Sequence, residues 1–351
     1  MQRMEDWLRQ YRAVRDGMGF IDRSETGKIA VCGVDRFSWL QGMVSNDVRR
    51  LNGGTVGGAL QACVLDATGH IISDVSLIAP QPGQPGLTSL FGRPDCVLLD
   101  LPRGNVVKLL DLFDRYIISE DVEVKDLSET LACFSMQGPS AAAGWDGGFP
   151  ANRDPFDRMR STEPWIGSPA DHTGSSGFDV YFPIVLAEEV RARIREHAVM
   201  EIDPEVQEIL RVEAGIAKYG VDISESILAP EANLMATHVS LAKGCYVGQE
   251  VVARIDSRGH TNRALTGLLF TTGDAPSSGS RVFALQDDAS GGREVGRVTS
   301  AVAASPAMNA RPIGLGYVRH EHRDPGTTLR VDPNGQTAVV TELPFYRQPA
   351  H

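Results

Sequence analysis

The sequence lacks the features that mark membrane and nucleic-acid-binding proteins. No apolar run in its 351 residues approaches the roughly 18 residues of a membrane-spanning helix, and the first eleven residues are charged rather than apolar. Positive charge is scarce, because 34 Lys and Arg stand against 45 Asp and Glu, a formal net charge of −11. Nucleic acids and anionic membranes attract basic surfaces, so neither is expected as a partner. We expect a cytoplasmic protein.

Cysteine is also sparse and shows no pairing pattern. There are five cysteines, an odd number without any Cys-x-x-Cys spacing. This pattern predicts neither a zinc site nor a disulfide framework, and it contains no ligand spacing for an iron–sulfur cluster, so no metal site is predicted. Four of them lie inside apolar runs, where a reduced thiol behaves as a small hydrophobic side chain: Cys32, Cys63, Cys96 and Cys133. Cys245 alone lies among glycines and charges.

Common catalytic and nucleotide-binding signatures are missing as well. The sequence contains no phosphate loop, no dinucleotide fingerprint and no Ser-His-Asp order. What it does contain is the balance of a globular protein, 42% hydrophobic and 23% charged residues, in a length that predicts two to three domains. The chain is therefore long enough to bury a sizeable core.

Periodicity predicts an α+β body followed by an all-β module. Helices are expected at 4–14, 36–44, 187–200 and 204–215, and two more are expected to begin at 102 and after 137–140. Asp35 is the expected N-cap of the helix at 36–44. Strands are expected at 28–33, 58–65, 70–78, 87–91, 95–100, 122–127, 131–136 and within 173–183, with a Gly-rich turn at 52–54, a hairpin turn at 66–69 and a long surface loop at 145–169. Beyond Cys245, six short strands are typical of a small antiparallel barrel or sandwich: 264–270, 281–285, 294–302, 312–318, 328–331 and 337–343.

The stretch with the strongest chemical signal is the octapeptide 243–250, Lys-Gly-Cys-Tyr-Val-Gly-Gln-Glu. Lys243 lies two positions before Cys245 and can favour the thiolate by Coulomb attraction. The glycines allow unusual backbone angles and a close approach to a ligand. Cys245 is therefore a candidate reactive thiol; the alternative is a small buried group in a tight turn.

This octapeptide resembles the signature of the YgfZ-type folate-binding proteins, relatives of the glycine cleavage T-protein (aminomethyltransferase). Residues 39–48, and 210–215 with 219–220, resemble segments shared by both branches. The resemblance implies a three-domain cloverleaf around a central channel, with two α/β sandwich-like domains and a C-terminal antiparallel β-barrel. The domains it implies are a discontinuous first domain of residues 1–50 and 140–255, a second domain of 51–139, and a barrel domain of 256–351.

Asp74 is a carboxylate on an otherwise apolar strand, where loss of water would raise its pKa and suit it to hold a proton. Strand alternation also allows a solvent-facing position. In the T-protein, two adjacent acids occupy this strand, and the second is catalytic near the folate nitrogen. The resemblance implies that role for Asp74, while Ser73 replaces the first acid.

A second carboxylate, Asp179, matches the T-protein glutamate that pairs with the pterin ring, since a carboxylate can accept two parallel N–H bonds. The alternative is an exposed strand residue before Tyr181. Gln207 stands where the T-protein has a substrate-binding arginine, which argues against aminomethyl transfer. With Cys245, Lys243 and Asp74 as catalytic candidates, the residues expected to contact folate are Asp74, Asp179, Asn46, Arg254 and Tyr219.

Basic residues cluster after the octapeptide in this otherwise acidic chain: Arg254, Arg258, His260 and Arg263. A cationic rim would suit the glutamate tail of a folate, and a solvated linker into the barrel is the alternative. His238 is a candidate base for the thiol, but a lone histidine is weak evidence.

Three functions remain open at this stage. The first is a tetrahydrofolate-binding accessory protein similar to YgfZ, which supports iron–sulfur cluster assembly or repair in client enzymes through Cys245. The second is a true aminomethyltransferase of one-carbon metabolism, acting on an aminomethylated lipoyl carrier protein with tetrahydrofolate. The third is a folate-fold scaffold without turnover.

Overall fold

The structure is a computed structural model, and it describes residues 2–51, 58–80, 90–93, 95–147, 156, 164–271, 274–285, 292–333 and 335–348. The strands, in chain order, are β1 Gly19–Asp22, β2 Gly27–Cys32, β3 Gly58–Leu65, β4 Ile71–Ala79, β5 Cys96–Leu101, β6 Glu123–Asp126, β7 Leu131–Gln137, β8 Ile166–Pro169, β9 Gly177–Pro183, β10 Met200–Glu201, β11 Arg263–Phe270, β12 Arg281–Ala284, β13 Glu294–Ser305, β14 Arg311–Arg319, β15 Thr328–Val331 and β16 Gln336–Thr341. The α-helices are α1 Gln2–Asp16, α2 Arg36–Met43, α3 Val106–Tyr116, α4 Pro139–Gly147, α5 Ala187–Glu196, α6 Pro204–Glu213, α7 Met235–His238 and α8 Gln249–Arg258. Short 3₁₀ turns cover Val48–Leu51, Arg103–Asn105, Ile184–Leu186, Pro306–Met308 and His320–His322.

The strands form two five-stranded sheets and one closed barrel. The first sheet has the order β10-β1-β7-β9-β8, and the second has the order β3-β4-β5-β2-β6. The six C-terminal strands close into an antiparallel barrel in the order β11-β14-β13-β12-β15-β16. This confirms the predicted fold class of α/β units with a C-terminal barrel, because the short alternating strands after α8 bury one apolar face each inside the barrel.

The two sheets pack against each other. Buried side chains of the second sheet, such as Ala30 and Leu98, share one apolar cluster with Cys133, Ile166 and Tyr181 of the first sheet. Strand β5 of the second sheet and strand β9 of the first therefore face the same interior. Polar side chains on these strands are brought together between the sheets.

Sheet membership differs from the predicted domain boundaries. β2 was expected in the first domain and lies in the second sheet, whereas β7 was expected in the second domain and lies in the first sheet. The division of the chain into domains stays a prediction.

A buried ion-pair network fastens the first sheet's helices to the barrel. Arg15 of α1 donates to Glu213 of α6 at 2.7 Å, and the same carboxylate accepts the hydroxyl of Tyr11 at 2.8 Å and of Ser305 at 2.6 Å. The guanidinium also lies 3.7 Å from the ring centroid of Tyr346. Segments from α1, α6 and β13 thus meet at one carboxylate, and Tyr346 packs on its guanidinium partner.

Several local expectations were wrong. Asp35 precedes α2 but makes no side-chain cap, because its carboxylate accepts the backbone N–H of Asp121 at 2.9 Å. The helix α8 was not expected. In the predicted strand 87–91, the described residues Leu90 and Phe91 are helical, and the turn at 52–54 lies outside the described residues. The predicted surface loop 145–169 begins within α4, ends in β8 and includes Phe156, which is 1% exposed.

The expectation of five reduced cysteines was also wrong. Cys32 and Cys96 form a disulfide, with their sulfurs 1.96 Å apart. The two residues are direct partners in the antiparallel pairing of β2 with β5. Sequence spacing did not indicate the bond because the two cysteines are separated by 64 residues. Cys63 and Cys133 remain free and buried, as expected, and Cys245 is free and exposed.

Candidate functional site

Asp74 lies in the middle of β4, half-buried, with its Oδ1 atom enclosed and without a hydrogen-bond partner in the described part of the chain. Burial raises the pKa of Asp74 to about 6, and the nearby charge of Asp100 adds to the rise while Arg23 opposes it. A carboxyl group without a polar partner in a poorly hydrated place keeps its proton more readily than one in water. The expected effect of desolvation on Asp74 is therefore present.

Polar side chains from three segments gather beside Asp74. The Asn105 amide donates to Ser73 Oγ at 3.2 Å, and the Ser73 hydroxyl donates to the Asp74 carbonyl at 2.9 Å. Tyr219 is half-buried, and burial raises its pKa, with the Asp74 charge adding to the rise and a hydrogen bond to Asn105 opposing it. Tyr219 and Asp74, both predicted, are thus brought together. Asn105 was missed, since nothing in its sequence context singled it out.

Asp179 lies on β9 and is buried, with 4% of its surface exposed. The ring Nε2 of His172 lies 3.1 and 3.0 Å from the two carboxylate oxygens. Although burial opposes ionisation, the charge and hydrogen bonds of His172, together with Arg23, lower the pKa of Asp179 to about 2. The predicted carboxylate is therefore ionised and already paired inside the protein, rather than exposed.

Arg23 lies next to Asp100 and Asp179 and also acts on the charge of Asp74. Its guanidinium Nη2 is 3.4 Å from Asp100 Oδ1, and its Nε is 4.0 Å from Asp179 Oδ2. The Tyr181 hydroxyl donates to Asp100 at 2.9 Å. Because Asp100 and Arg23 also influence the Asp74 carboxyl, the acids on β4, β5 and β9 form one electrostatic cluster between the sheets. Sequence reasoning missed Arg23, Asp100 and His172.

The donor atoms of Asp100, Cys133 and Asp179 lie within 4.8 Å of one another, all buried. This is the arrangement of a metal site in outline, but Arg23 already supplies positive charge to both carboxylates. Burial also raises the pKa of the Cys133 thiol well above its usual value, so the sulfur stays protonated. A metal ion would need Cys133 as a thiolate. The cluster therefore suits the Arg23 guanidinium better than a metal ion.

Lys243 points into the protein and is 6% exposed. Its ammonium donates to the carbonyl oxygens of Gln41 at 2.7 Å and Asn46 at 2.9 Å, and also to Val44. Burial lowers the pKa of Lys243 to about 8. The ammonium ties the octapeptide to the end of α2, where three carbonyl oxygens accept its three hydrogens. Its predicted effect on the Cys245 thiol stays a prediction.

Cys245 itself is exposed, in the loop that leads into α8. The buried-turn alternative is therefore wrong for the thiol. Gly248 has φ +82°, and a Cβ atom there would lie 2.5 Å from the Asp66 carbonyl oxygen. Close packing against the β3–β4 hairpin therefore requires a glycine at this position.

The remaining predicted residues lie apart from the acidic cluster or are engaged elsewhere. Asn46 is 1% exposed and donates to the carbonyls of Gln61 and Thr237 at 2.7 and 2.9 Å. Burial lowers the pKa of His238 to about 4, so its ring is neutral at pH 7. The amide of Gln207 donates to the Ile202 carbonyl at 2.6 Å.

The basic residues after the octapeptide divide into two groups. Arg254 and Arg258 are exposed on α8, which replaces the predicted linker. Arg263 pairs with Glu231 at 3.1 Å, and the His260 ring stacks on His320 with centroids 4.6 Å apart. A cationic rim is thus limited to the arginines on α8. Among the described residues, no helix is long and apolar enough to span a membrane.

Comparison with known families and structures covers nearly the whole chain. Residues 2–243 match the GCVT N-terminal domain, and residues 263–347 match the glycine cleavage T-protein C-terminal barrel domain. The chain is 27% identical to an aminomethyltransferase of Nostoc sp. over 348 residues, covering 97% of this chain and 87% of that one. It is 29% identical to an aminomethyltransferase of Rubrobacter xylanophilus over 346 residues, covering 97% and 86%. The crystal structure of the glycine cleavage system aminomethyltransferase T from Bartonella henselae superimposes with a TM-score of 0.79 at 24% identity, covering 97% of this chain and 90% of that one, which shows the shared fold.

Proposed function

The chain belongs to the glycine cleavage T-protein family, and we propose that it binds a reduced folate and transfers a one-carbon unit, in the manner of an aminomethyltransferase, with Asp74 as its proton-handling carboxylate. The observation that carries the proposal is the enclosed Oδ1 of Asp74, which has no hydrogen-bond partner among the residues that the structure describes, in a carboxyl group with a pKa of about 6. A carboxyl with that pKa is present in both forms near neutrality, which is what a general acid or base requires.

The residues around Asp74 fit a folate in part. Its orphaned oxygen needs an N–H or O–H donor, which a reduced folate would supply, and Tyr219 and Asn105 offer further polar groups beside it. Asp179 carries the charge to hold a pterin ring but is engaged by His172. Arg254 would lie toward a glutamate tail only if the ligand extends to α8. We propose Asp74, Tyr219 and Asp179 as the principal contacts.

When bound, tetrahydrofolate supplies the nitrogen that accepts the one-carbon unit. The protein's contribution is the proton. Asp74 holds or accepts it at a carboxylate oxygen, and its Oδ1 atom is enclosed by the protein. Asn105, through Ser73, fixes the backbone of β4 beside Asp74. Two departures from the T-protein, Ser73 and Gln207, support an expectation of slower turnover and weaker folate binding than in that enzyme.

The test is formation of methylenetetrahydrofolate from an aminomethylated lipoyl carrier protein and tetrahydrofolate. We expect measurable turnover by the unaltered protein and a loss of about a hundredfold or more in the turnover number of Asp74→Asn at saturating folate. Asp126→Asn is the matched control, since Asp126 is an exposed carboxylate on edge strand β6. Equal turnover by Asp74→Asn and the unaltered protein would remove Asp74 from the mechanism.

A second candidate function is the support of iron–sulfur client enzymes, as in the YgfZ branch, and one observation favours it. Cys245 is free and exposed, while Lys243 and Tyr246 beside it point inward and hold the loop that presents it. Aminomethyl transfer assigns no task to this thiol.

Complementation separates the two candidates. In cells that need this protein for iron–sulfur enzyme activity, the accessory function predicts that Cys245→Ala fails to complement. It also predicts that a variant that keeps Cys245 but has lost aminomethyl transfer still complements. Cys245→Ala that complements fully would remove the thiol from the function. If neither turnover nor complementation is found, the scaffold alternative becomes the better explanation.

A further inference from the structure

The carboxylate that the proposed folate site would use for a pterin ring is already held by a side chain of the same protein. His172 Nε2 lies between both Asp179 oxygens at 3.1 and 3.0 Å. The Tyr181 hydroxyl is 3.4 Å from one Asp179 oxygen and Arg23 Nε is 4.0 Å from it, and Ser135 adds a hydrogen bond. His172 is thus the group that covers the face where two parallel N–H bonds would form.

Exposure indicates the direction from which Asp179 can be reached. The Asp179 side chain is 5% exposed, whereas the His172 and Arg23 side chains are 22% and 24% exposed. The carboxylate is therefore separated from solvent by these two side chains. A ligand that pairs with Asp179 must move one of them, and His172 is the one that engages both oxygens.

The loop before β9 holds His172 in this position. Its backbone N–H donates to Gln137 Oε1 at 3.0 Å, and the neighbouring Thr173 carbonyl accepts Arg15 at 2.7 Å. The backbone is fixed while the ring reaches the surface. Rotation of the side chain can therefore uncover Asp179 without unfolding the loop.

We propose that His172 is an internal competitor for Asp179: a ligand with two adjacent N–H donors, the chemistry of a pterin ring, gains this carboxylate only by displacing the imidazole. The inference rests on the proposed function, because it concerns the same folate site. Ser135, Tyr181 and Arg23 remain to support the charge after His172 leaves. The apparent dissociation constant for the ligand is then the intrinsic constant divided by the fraction of molecules in which the ring is displaced.

The competition predicts a gain of affinity from a loss of side chain. His172→Ala should bind 5-formyltetrahydrofolate, a stable reduced folate, about tenfold more tightly than the unaltered protein. His172→Gln should restore the weaker binding, because its amide can donate to the carboxylate. A residue that only maintains the fold would have the opposite effect when truncated.

Calorimetric titration of the full chain decides the matter, with circular dichroism melting to confirm that each variant is folded. His197→Ala is the control, since His197 is half-buried and contacts the Arg193 carbonyl within α5. Tighter binding by His172→Ala alone, or binding by His172→Ala where the unaltered protein shows none, would support the competition. Equal or weaker binding by folded His172→Ala, with the unaltered protein binding normally, would overturn it and leave the folate proposal standing. No binding by either protein would overturn the folate proposal and the competition together.

Discussion

Cys63 and Asp74 lie directly opposite each other in the antiparallel pairing of β3 with β4. The thiol is fully buried, and burial, together with the Asp74 charge, raises its pKa far above the usual value. Asp74 therefore faces a neutral sulfur across the sheet rather than a cation. Arg23 opposes the rise in the Asp74 pKa only in part, so the charge of this buried carboxyl group is incompletely compensated.

The incompletely compensated carboxyl group predicts an unusual dependence of stability on pH. The pKa of Asp74 rises from 3.8 to about 6 on folding, so the folded state binds the proton more tightly than the unfolded state between these values. The contribution of Asp74 to the free energy of unfolding is then fully present below about pH 4 and is lost as the pH rises through 6. At pH 4, Asp74→Asn should have the same melting temperature as the unaltered protein. At pH 8 its free energy of unfolding should be higher by about 1–2 kcal/mol, a value reduced to allow for the partial exposure of Asp74. Equal melting temperatures at pH 8 would show that water or a rearrangement solvates the carboxylate.

Lys243 is predicted to stabilise the fold. Lys243→Met would remove the ammonium that donates to the carbonyl oxygens of Gln41, Val44 and Asn46, two of these contacts being buried, and we expect a loss of about 2–4 kcal/mol in the free energy of unfolding. Denaturant titration measures the loss, with exposed Lys125→Met as control. If Lys243 instead acts by favouring the Cys245 thiolate, the variant would keep its stability and only its Cys245 alkylation rate would fall.

The cysteines should fall into three classes of reactivity. Cys245 is exposed, Cys63 and Cys133 are buried, and Cys32 and Cys96 are joined. A thiol reagent should label Cys245 rapidly in the native protein, three cysteines after denaturation without reductant, and all five after reduction, as counted by mass spectrometry. Cys245→Ala should remove the rapid label and change the melting temperature little. Five labels without reductant would contradict the disulfide.

Glu213 should be indispensable for the attachment of the barrel. Its buried carboxylate pairs with Arg15 and accepts Tyr11 and Ser305, so Glu213→Gln would leave a buried guanidinium without its charge partner. We expect a loss of about 3–5 kcal/mol and faster limited proteolysis between α8 and the barrel. Asp6→Asn, in an exposed pair with Arg9, serves as the control and should be nearly neutral. A loss smaller than about 1 kcal/mol would show that the side chains around Arg15 rearrange to replace the lost charge partner.

Local sequence determined the elements and much of the candidate chemistry. The hairpin turn at 66–69 is confirmed because Asp66 accepts the N–H of Thr68 and His70, an interaction among near neighbours. The barrel strands and the exposure of Cys245 were also predictable, since apolar alternation and a Gly-rich, charged context act over a few residues. The octapeptide, together with residues 39–48 and 210–220, pointed to the T-protein superfamily, while the YgfZ branch stays a prediction. The position of Asp74 on an apolar strand pointed to a raised pKa, with a solvent-facing position as the alternative.

Only the tertiary structure decided which groups those residues meet. Lys243 and Gln41 are 202 residues apart, and Cys32 and Cys96 are 64 apart, so neither pairing is written in any local pattern. Asp179 was predicted as a carboxylate, but its engagement by His172 and Arg23 depends on how a loop and a turn are placed after the sheets have packed. Charge and hydrogen bonding act between whichever side chains packing brings within about 4 Å, and packing is a property of the whole chain.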